Sequence, residues 1–387
     1  MKQVVRKSRS EANNVSTVKP IYTLLVDGNS LLKMSLVDKR MNDKGEEYGA
    51  VYLFLTQLGN LLLKKDFNFC VCCWDGYGSG VLRYNIYPEY KSNRDKHYEL
   101  IGGQTDYDTF LNDYAKNIIK NSKYKSKNVK RSESDDENFQ RQREILQNVL
   151  ENLYVRQFIY DEVEGDDLIA YYVKNKKENE KIVIVSGDRD LTQLITDDVC
   201  QYIPSLKTFV TPKNSIEVLG MTHENTVLKK ILCGDASDNI KGIKGVGETT
   251  LVKLFPEMKD NKLNLEAIVS RSEALLEQRK AEKKKPLKAL ENIVKRVTDG
   301  VQGEKIYEIN EKIIDLSEPL LTESAKKEIN EELYAPLSGD DRSIRNIYNI
   351  LTDNEMSDLQ NETTFGRVFG AFDRICKMEK QYSKQNS

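Results

Sequence analysis

Two acidic clusters that lie close together constrain this chain more than any other sequence feature. They are Glu164-Gly-Asp-Asp167 and Ser186-Gly-Asp-Arg-Asp190, and the apolar run 182–185 lies between them. Carboxylates at this density repel one another, and a fold that gathers them usually holds a cation that neutralises them. The pattern therefore predicts a site for hard divalent metal ions that act on phosphate.

The composition indicates a charge-rich globular protein with room for one large domain or two ordinary ones. The chain has 387 residues, of which 31% are charged and 39% hydrophobic, and its formal net charge is −2. The first 20 residues are basic and lack an apolar core, so we expect a disordered tail and not a secretory signal. The two histidines argue against a zinc site. We expect no membrane contact and a cytoplasmic location, in the host cell if a phage encodes the chain.

Apolar strands alternate with helical patterns in the first half of the chain. The runs Tyr22–Val26, Phe67–Trp74 and Ile182–Val185 are predicted as buried strands, and Tyr48–Lys64 carries apolar residues at helical spacing. This alternation predicts a parallel sheet covered by helices. Further strands are expected over 154–159, 199–203 and 207–211, and further helices over 139–152, 164–176, 222–233, 248–255 and 361–380.

Each of the three predicted buried strands leads into a turn that contains an aspartate. These aspartates are Asp27, Asp75 and Asp188. Ligands of an open parallel sheet bind beyond the carboxyl ends of its strands. We therefore expect the three carboxylates to face one crevice.

The other acidic candidates belong to helix starts or to the downstream half of the chain. Glu164, Asp166 and Asp167 open a predicted helix, where the dipole tolerates negative charge. Asp235 and Asp238 have the i,i+3 spacing of one helical face. Any one of these acids could be only a turn or cap residue, but the whole set is hard to obtain by chance. Two Mg²⁺ ions could use it to activate a water and neutralise the leaving oxygen of a phosphodiester.

A basic, tyrosine-rich segment separates the second strand from the acidic clusters. Residues 79–131 carry 11 basic and six acidic side chains, and seven of the basic ones lie within 116–131. The segment cannot bury a large core, so we interpret it as a lid or arch that is partly disordered when free. The alternative is a mobile insertion that contributes only screened attraction to DNA.

The sequence motifs resemble those of the 5′→3′ exonuclease and flap endonuclease family, in the family's order from about Leu24 to Phe255. The matching motifs are Val-Asp-Gly-Asn-Ser30, Trp-Asp-Gly76, Tyr90-Lys-Ser-Asn-Arg94, Glu164-Gly-Asp-Asp-Leu-Ile-Ala, Ser186-Gly-Asp-Arg-Asp-Leu-Thr-Gln-Leu and Gly234-Asp-Ala-Ser-Asp-Asn-Ile. This family includes bacteriophage enzymes and the nuclease domain of bacterial DNA polymerase I. The resemblance implies an α/β fold with a PIN-like parallel-sheet core, a helical arch, a helix–hairpin–helix DNA-binding region and a helical C-terminal region.

The resemblance also implies which residues form the site. The acidic positions that match the family's two-metal site are Asp27, Asp75, Glu164, Asp166, Asp167, Asp188, Asp190, Asp235 and Asp238, with the last four favouring one metal and the first five the other. Lys91 and Arg94 match catalytic positions at the base of the arch, and Tyr90 matches a position that stacks on a substrate base. Arg83 is a further cation expected to stabilise charge on the scissile phosphate. The hairpin residues expected to grip duplex DNA are Gly242, Ile243, Gly245, Val246 and Gly247.

The sequence thus predicts a Mg²⁺-dependent nuclease that cuts 5′ flaps and degrades DNA from 5′ ends, including RNA primers in replication. Mn²⁺ is an alternative metal, and the family's hairpin implies K⁺ bound by backbone carbonyls. The expected partners are DNA with 5′ flaps or 5′ ends, RNA-primed DNA, a polymerase and a single-strand-binding protein, with the chain itself a monomer. The alternatives are a DNA-binding accessory protein without catalysis and a PIN-type ribonuclease. The expected regions are a tail (1–20), a nuclease core (21–212, with the arch 83–140), a helix–hairpin–helix region (213–320) and a helical extension (321–387).

Overall fold

A six-stranded sheet forms the centre of the computed structural model, which describes residues 19–93, 133–297, 305–337 and 341–386. The strands are β1 (Ile21–Asp27), β2 (Phe69–Cys73), β3 (Arg156–Phe158), β4 (Glu180–Val185), β5 (Val199–Ile203) and β6 (Thr208–Val210). Their order is β3-β2-β1-β4-β5-β6, with parallel pairing except between β5 and β6. A separate hairpin consists of β7 (Gly234–Asp235) and β8 (Ile240–Lys241). The predicted α/β class with a mainly parallel sheet is confirmed.

Helices occupy most of the remaining described chain. They are α1 (Gly28–Ser35), α2 (Gly49–Leu62), α3 (Val81–Ile86), α4 (Glu133–Asn152), α5 (Gly165–Lys174), α6 (Ser215–Leu219), α7 (Thr226–Cys233), α8 (Glu248–Leu254), α9 (Leu265–Ala281), α10 (Lys288–Lys295), α11 (Lys305–Ile314), α12 (Glu323–Glu332), α13 (Ile344–Asp353), α14 (Ser357–Gln360), α15 (Glu362–Phe369) and α16 (Asp373–Asn386). Within the described ranges, none of these helices combines the length and apolar composition needed to span a bilayer.

Both faces of the sheet are covered, and the C-terminal helices take part in each layer. On one face α1, α2 and α4 share a core with α13 to α16, through residues such as Leu351, Phe372 and Ile375. On the other face α5 packs with α12, through Ile169 and Ile329. The predicted extension 321–387 is therefore packed on the sheet core. The boundaries at 212 and 320 stay predictions.

A third apolar cluster lies outside the sheet layers and organises the segment that contains the β7–β8 hairpin. It joins α7, α8, α9, α10 and α11 around residues such as Leu232, Leu251 and Phe255. Tyr87 and Tyr90, which follow α3, are buried in the same cluster. This contact attaches the described base of the predicted arch to the hairpin segment. Residues 94–132 of the arch lie outside the described residues.

The prediction of one continuous helix over 361–380 is wrong. The chain forms α15, a 3₁₀ turn over Gly370–Phe372 and then α16. Phe369, Phe372 and Ile375 all enter the same core despite the 3₁₀ turn, as expected for residues three apart on one helical face. The predicted docking of this segment on the body of the protein is confirmed. Helix α4 also begins at Glu133, earlier than the predicted start at Phe139.

Gly28 lies against the ring of Trp74 at the end of β1, and we expect even an alanine there to destabilise the fold. A Cβ at Gly28 would stand 2.5 Å from the ring, which is fully buried and stacked on Phe54. Because the ring has no room to move, Gly28→Ala should lower the free energy of unfolding by about 1–3 kcal/mol in urea denaturation. Gly366→Ala is the control, since no atom lies within 4 Å of its Cβ position. Equal effects of the two substitutions would contradict this prediction.

Candidate active site

The ends of β1 and β4 are joined by an aspartate at one edge of the sheet. Asp27 is the last residue of β1, and its carboxylate accepts hydrogen bonds from the Ser30 amide at 2.9 Å and the Ser186 hydroxyl at 2.7 Å. Ser186 directly follows β4, so the second bond crosses between neighbouring parallel strands. Asp27 thus links the carboxyl ends of β1 and β4, and the crevice expected there stays a prediction.

Asp75 connects the end of β2 to the start of α5. One of its carboxylate oxygens accepts a hydrogen bond from the Gly165 amide at 2.8 Å, and the other accepts one from the Asn29 side chain. The Asp75 backbone carbonyl accepts a hydrogen bond from Arg143 at 2.6 Å. Because Gly165 is the first residue of α5, these bonds fix the helix that presents the next three carboxylates.

The first carboxylate group consists of Glu164, Asp166 and Asp167. Glu164 caps α5, and the two aspartates lie in its first turn, where the helix dipole favours negative charge. The three side chains offer oxygens that all lie within 4.8 Å of one another. This geometry could hold a metal ion.

Arg83 balances the charge of the first carboxylate group from inside the protein. Its guanidinium donates to Glu164 and to Asp167, each at 2.5 Å, and its Nε donates to the Ile313 carbonyl at 3.0 Å. Only 4% of Arg83 is exposed. The direct contact with substrate phosphate that the sequence predicted is therefore blocked in this conformation, and the side chain lies where it can position the carboxylates.

Lys91 and Tyr90 reach Glu164 from the base of the predicted arch. The Lys91 ammonium pairs with one Glu164 oxygen, and the Tyr90 hydroxyl lies 3.3 Å from the other. The side chain of Lys91 is 20% exposed, and its ammonium is held by Glu164. Tyr90 is buried, and base stacking, as the resemblance implies, would require its ring to move. Arg94 lies outside the described residues.

The second carboxylate group consists of Asp190, Asp235 and Asp238. Oxygens of these three side chains also lie within 4.8 Å of one another. The Lys230 ammonium pairs with Asp190 and contacts Asp235 at 2.7 Å. This pairing lowers the pKa of Asp235 to about 2, against the opposing effect of its burial. A protein cation thus lies within this group, as Arg83 does in the first.

The helical explanation for the pairing of Asp235 with Asp238 is wrong. Asp235 ends β7, and the turn that follows leads into β8 at Ile240. The Asp235 side chain accepts hydrogen bonds from the Ser237 amide at 2.7 Å and the Ser237 hydroxyl at 2.6 Å. This aspartate-stabilised turn brings the two acids together.

Asp188 is coupled electrostatically to Asp27 and to Asp190. Its charge is among the causes that raise the pKa of each of these two carboxyl groups. The Asp188 carboxylate is exposed, and one of its oxygens accepts a hydrogen bond from the Asp190 amide at 2.9 Å. Asp188 thus lies beside the second carboxylate group and influences Asp27 at the end of β1.

The electrostatics of the site fit a hard divalent cation. Loss of water around the carboxylate raises the pKa of Asp27 from 3.8 to about 6, and the charges of Asp75 and Asp188 add to this rise. Desolvation likewise raises the pKa of Asp166, with further contributions from Asp167 and Glu164. Arg83, Lys91 and Lys230 offset only part of this negative charge. The atoms that the site offers to a metal ion are carboxylate oxygens, which Mg²⁺ and Mn²⁺ prefer as ligands.

The segment from Ile313 to Leu320 supports the first carboxylate group from behind. The Ile313 carbonyl accepts the Arg83 hydrogen bond, and the Leu320 amide donates a hydrogen bond to Asp167 at 2.9 Å. Between them, Gln193 donates to the Ile314 carbonyl at 3.1 Å and accepts from the Leu316 amide at 2.8 Å. These hydrogen bonds thus hold Arg83 and Asp167 in their positions.

Comparison with known families identifies the chain. The family model described as the 5'-3' exonuclease, N-terminal resolvase-like domain, matches residues 22–229, which is more than half of the chain. The chain belongs to the 5′–3′ exonuclease family. Proteins of this family are nucleic-acid hydrolases, and the resemblance found in the sequence motifs is confirmed.

Curated relatives of this exonuclease-family chain include bacterial DNA polymerases I. The enzyme of Bacillus subtilis is 28% identical over 252 residues, which are 63% of this chain and 24% of the polymerase. The enzyme of Mycobacterium tuberculosis is 36% identical over 244 residues, which are 60% of this chain and 23% of the polymerase. The chain thus spans about a quarter of the length of the polymerases that it matches.

Solved structures from bacteriophage T5 share the fold. A flap endonuclease in a pseudo-enzyme-product complex with DNA and metal ions is 19% identical, with a TM-score of 0.54 over 86% of this chain and 99% of that chain. A 5'-exonuclease with bound divalent zinc ions is also 19% identical, with a TM-score of 0.53 over 86% of this chain and 100% of that chain. At this identity the likeness shows the fold alone.

The hairpin predicted to bind DNA is joined to the base of the arch in this exonuclease-family chain. The Lys91 amide donates to the Asp238 carbonyl at 2.7 Å, and Asn239 donates to the Glu89 carbonyl at 2.8 Å. The glycine turn 242–247 follows β8, and Gly245 has a φ of +80°, which a side chain would strain. The base of the predicted arch is thus bonded to the β7–β8 turn that carries Asp238, and the glycine turn follows directly after β8.

Several side chains of the site were not found by sequence reasoning. Lys230 lies in α7, five residues before Asp235 in β7, in a segment predicted only as a helix. Asn29 belongs to the turn of α1 that follows Asp27 and donates to Asp75. Arg143 approaches Asp75 from α4, far along the chain. No sequence signal marks Lys230. Nothing in the sequence marks Arg143.

Proposed function

We propose that this chain is a Mg²⁺-dependent, structure-specific 5′ nuclease that hydrolyses DNA phosphodiesters as a 5′→3′ exonuclease and flap endonuclease. The observation that carries the proposal is the pair of carboxylate groups at the carboxyl edge of the parallel strands, with Asp27, Asp75 and Asp188 beside them. A site with this many carboxylates is suited to two hard cations. A second proposal is that K⁺ contacts backbone carbonyls of the hairpin.

Two metal ions would divide the acidic residues between them. Asp27, Asp75 and the first carboxylate group would hold one ion, and Asp188 with the second group would hold the other. When bound, such ions supply an activated water and neutralise the leaving oxygen. Mn²⁺ would also suit these donors.

The side chains around the carboxylates would position the substrate. Lys91 lies beside Glu164 and would bind the scissile phosphate, with Arg94 as the second cation of that motif. Arg83 would keep the first group in place while metal and substrate exchange. The glycine turn, with Gly242, Ile243, Gly245, Val246 and Gly247, would let duplex backbone approach closely.

The biological substrates would be DNA with 5′ flaps or 5′ ends and RNA-primed DNA during replication. Support comes from the polymerase I relatives and from the T5 enzyme whose structure contains DNA. A polymerase and a single-strand-binding protein would be the protein partners of a monomer in the cytoplasm. The regions would be those expected from the sequence, with a core over 21–212 and a DNA-binding region over 213–320.

Removal of metal tests the proposal directly. With a 5′-labelled flap duplex, we expect release of the label in Mg²⁺, no release in EDTA and recovery when Mg²⁺ is added back, because the carboxylates alone cannot activate water. Binding of the same duplex, measured by fluorescence anisotropy, should persist in EDTA.

Other outcomes would favour the alternatives. Tight binding in EDTA without cleavage in Mg²⁺ or Mn²⁺ would indicate a non-catalytic accessory protein. Cleavage of structured RNA that duplex DNA does not inhibit would indicate a PIN-type ribonuclease.

A further inference from the structure

A lysine-rich loop between α9 and α10 is the most basic surface in the described chain that the proposed site does not use. We call residues 279–288 the lysine loop. They include six basic residues and one acidic residue, in a chain whose net charge is −2. The basic residues are Arg279, Lys280, Lys283, Lys284, Lys285 and Lys288. All of them except the half-buried Arg279 are exposed.

The lysine loop has a defined backbone conformation. The Lys284 amide donates to the Arg279 carbonyl at 2.8 Å, and the Arg279 side chain donates to the Lys285 carbonyl at 2.9 Å. Lys283 adopts a φ of +55°, which turns the chain sharply. Arg279 thus closes the loop from within, and the lysines project from a fixed turn.

The charge of the lysine loop is poorly neutralised by the protein. Lys284 contacts Glu282 at 2.7 Å, and Glu282 is the one acid within the loop. Among the residues that the structure describes, no carboxylate lies within 4 Å of the ammonium of Lys280, Lys283 or Lys285. A surface that concentrates positive charge in this way attracts a polyanion.

Helix α10 connects the lysine loop rigidly to the glycine turn. The end of α10 is bonded to the turn, because Asn292 donates to the Lys244 carbonyl at 2.7 Å and the Lys244 amide donates to the Val297 carbonyl at 2.9 Å. Ile293 of α10 and Ile243 of the turn are buried in the same apolar cluster. The helix has eight residues, so the lysine loop begins roughly 12 Å from the bonded end.

We infer that the lysine loop is a second contact for duplex DNA, which extends the binding surface of the glycine turn along the phosphate backbone. The spacing of roughly 12 Å corresponds to the rise of about three to four base pairs. The contact would be independent of sequence, because lysines meet phosphates as point charges. This inference rests on the proposed function, which supplies the DNA.

Salt-dependent binding tests the inference. The variant changes Lys280, Lys283, Lys284 and Lys285 together to Gln, and a flap duplex is titrated in EDTA at several salt concentrations. The slope of log Kd against log salt should fall by about 1 to 4, since each phosphate contact contributes roughly 0.9. At low salt the affinity should fall by about tenfold or more. Turnover in Mg²⁺ at saturating DNA should stay within twofold, because these lysines lie outside the carboxylate groups.

A matched variant controls for the change in total charge. It changes the exposed residues Lys213, Lys327, Lys377 and Lys384 to Gln, and its salt slope and affinity should remain close to those of the unsubstituted chain. Duplex length gives a second measurement. Shortening the duplex by about four base pairs should weaken binding of the unsubstituted chain and leave the lysine-loop variant almost unaffected.

The outcomes separate this inference from the proposed function. If the unsubstituted chain binds duplex and the lysine-loop variant binds equally well, or if the control variant loses as much affinity, the second contact is wrong and the nuclease proposal stands. If the unsubstituted chain binds no duplex at all, both are wrong.

Discussion

Asp188→Asn is expected to reduce cleavage of a 5′ flap by about 10³-fold or more, which corresponds to about 4 kcal/mol of transition-state stabilisation. Asp188 is exposed, and its charge influences both Asp27 and Asp190. The substitution keeps an oxygen that can accept the Asp190 amide hydrogen bond, so the local backbone should be retained. Single-turnover cleavage in Mg²⁺ measures the loss, and thermal unfolding should show little change.

Asp197→Asn is the matched control for this substitution. Asp197 is exposed and lies before β5, at the opposite edge of the parallel sheet from the carboxylate groups. The Asp197→Asn substitution removes the same charge at a distance from the site. Its cleavage rate should stay within twofold of that of the unsubstituted chain. Retention of near-normal cleavage in Asp188→Asn would show that the carboxylate constellation does not perform the reaction. DNA binding in EDTA should persist in both variants. This measurement separates a loss of catalytic activity from a loss of DNA binding.

Arg156→Ala is expected to be the most destabilising of the substitutions considered, at about 3–5 kcal/mol. Arg156 of β3 forms two hydrogen bonds with Glu379 of α16, each at 2.7 Å, and a third with the Ala335 carbonyl at 2.8 Å. The Glu379 side chain is fully buried. Removing the arginine leaves this carboxylate in the interior without its partner, and urea denaturation measures the cost.

An exposed ion pair on the same helix provides the comparison. Arg374 of α16 contacts Asp66 at 2.8 Å, but both side chains are largely exposed. Arg374→Ala should therefore cost at most about 1 kcal/mol. The double variant Arg156→Met with Glu379→Leu should recover most of the lost stability, because an apolar pair avoids the desolvation of two charges. If Arg156→Ala and Arg374→Ala lower the free energy of unfolding by similar amounts, burial of the Arg156–Glu379 pair does not determine its contribution to stability.

Much of the sheet and the acidic constellation could be predicted from the sequence because both depend on local patterns. The all-buried run Phe69–Cys73 and the run Glu180–Val185 are recognisable as interior strands, and Asp27, Asp75 and Asp188 follow their strands closely. The parallel arrangement then places these acids at one edge. The structure gathers six of these acids into the two carboxylate groups, and their division between two metals stays a prediction.

The features that the sequence did not predict depend on contacts between distant parts of the chain. Arg83 looked like a substrate contact, but it is buried because Ile313, 230 residues away, accepts its Nε hydrogen bond. The roles of Lys230 and Arg143 follow from where α7 and α4 dock, which no local pattern specifies. The 3₁₀ turn at Gly370–Phe372 likewise lies within a segment whose residue pattern favours one helix.

The support behind the first carboxylate group has a consequence for biosynthesis. Leu320 donates its hydrogen bond to Asp167 across 153 residues of chain. At typical elongation rates of about 5–20 residues per second, the ribosome would take roughly 10 to 30 s to make that interval. In the part of this interval after Asp238 has been added, all the acidic residues of the site exist without Leu320. A nascent chain would thus carry every carboxylate of the site while still lacking the segment that holds Arg83 and Asp167 in place, and nuclease competence would arise only late in translation.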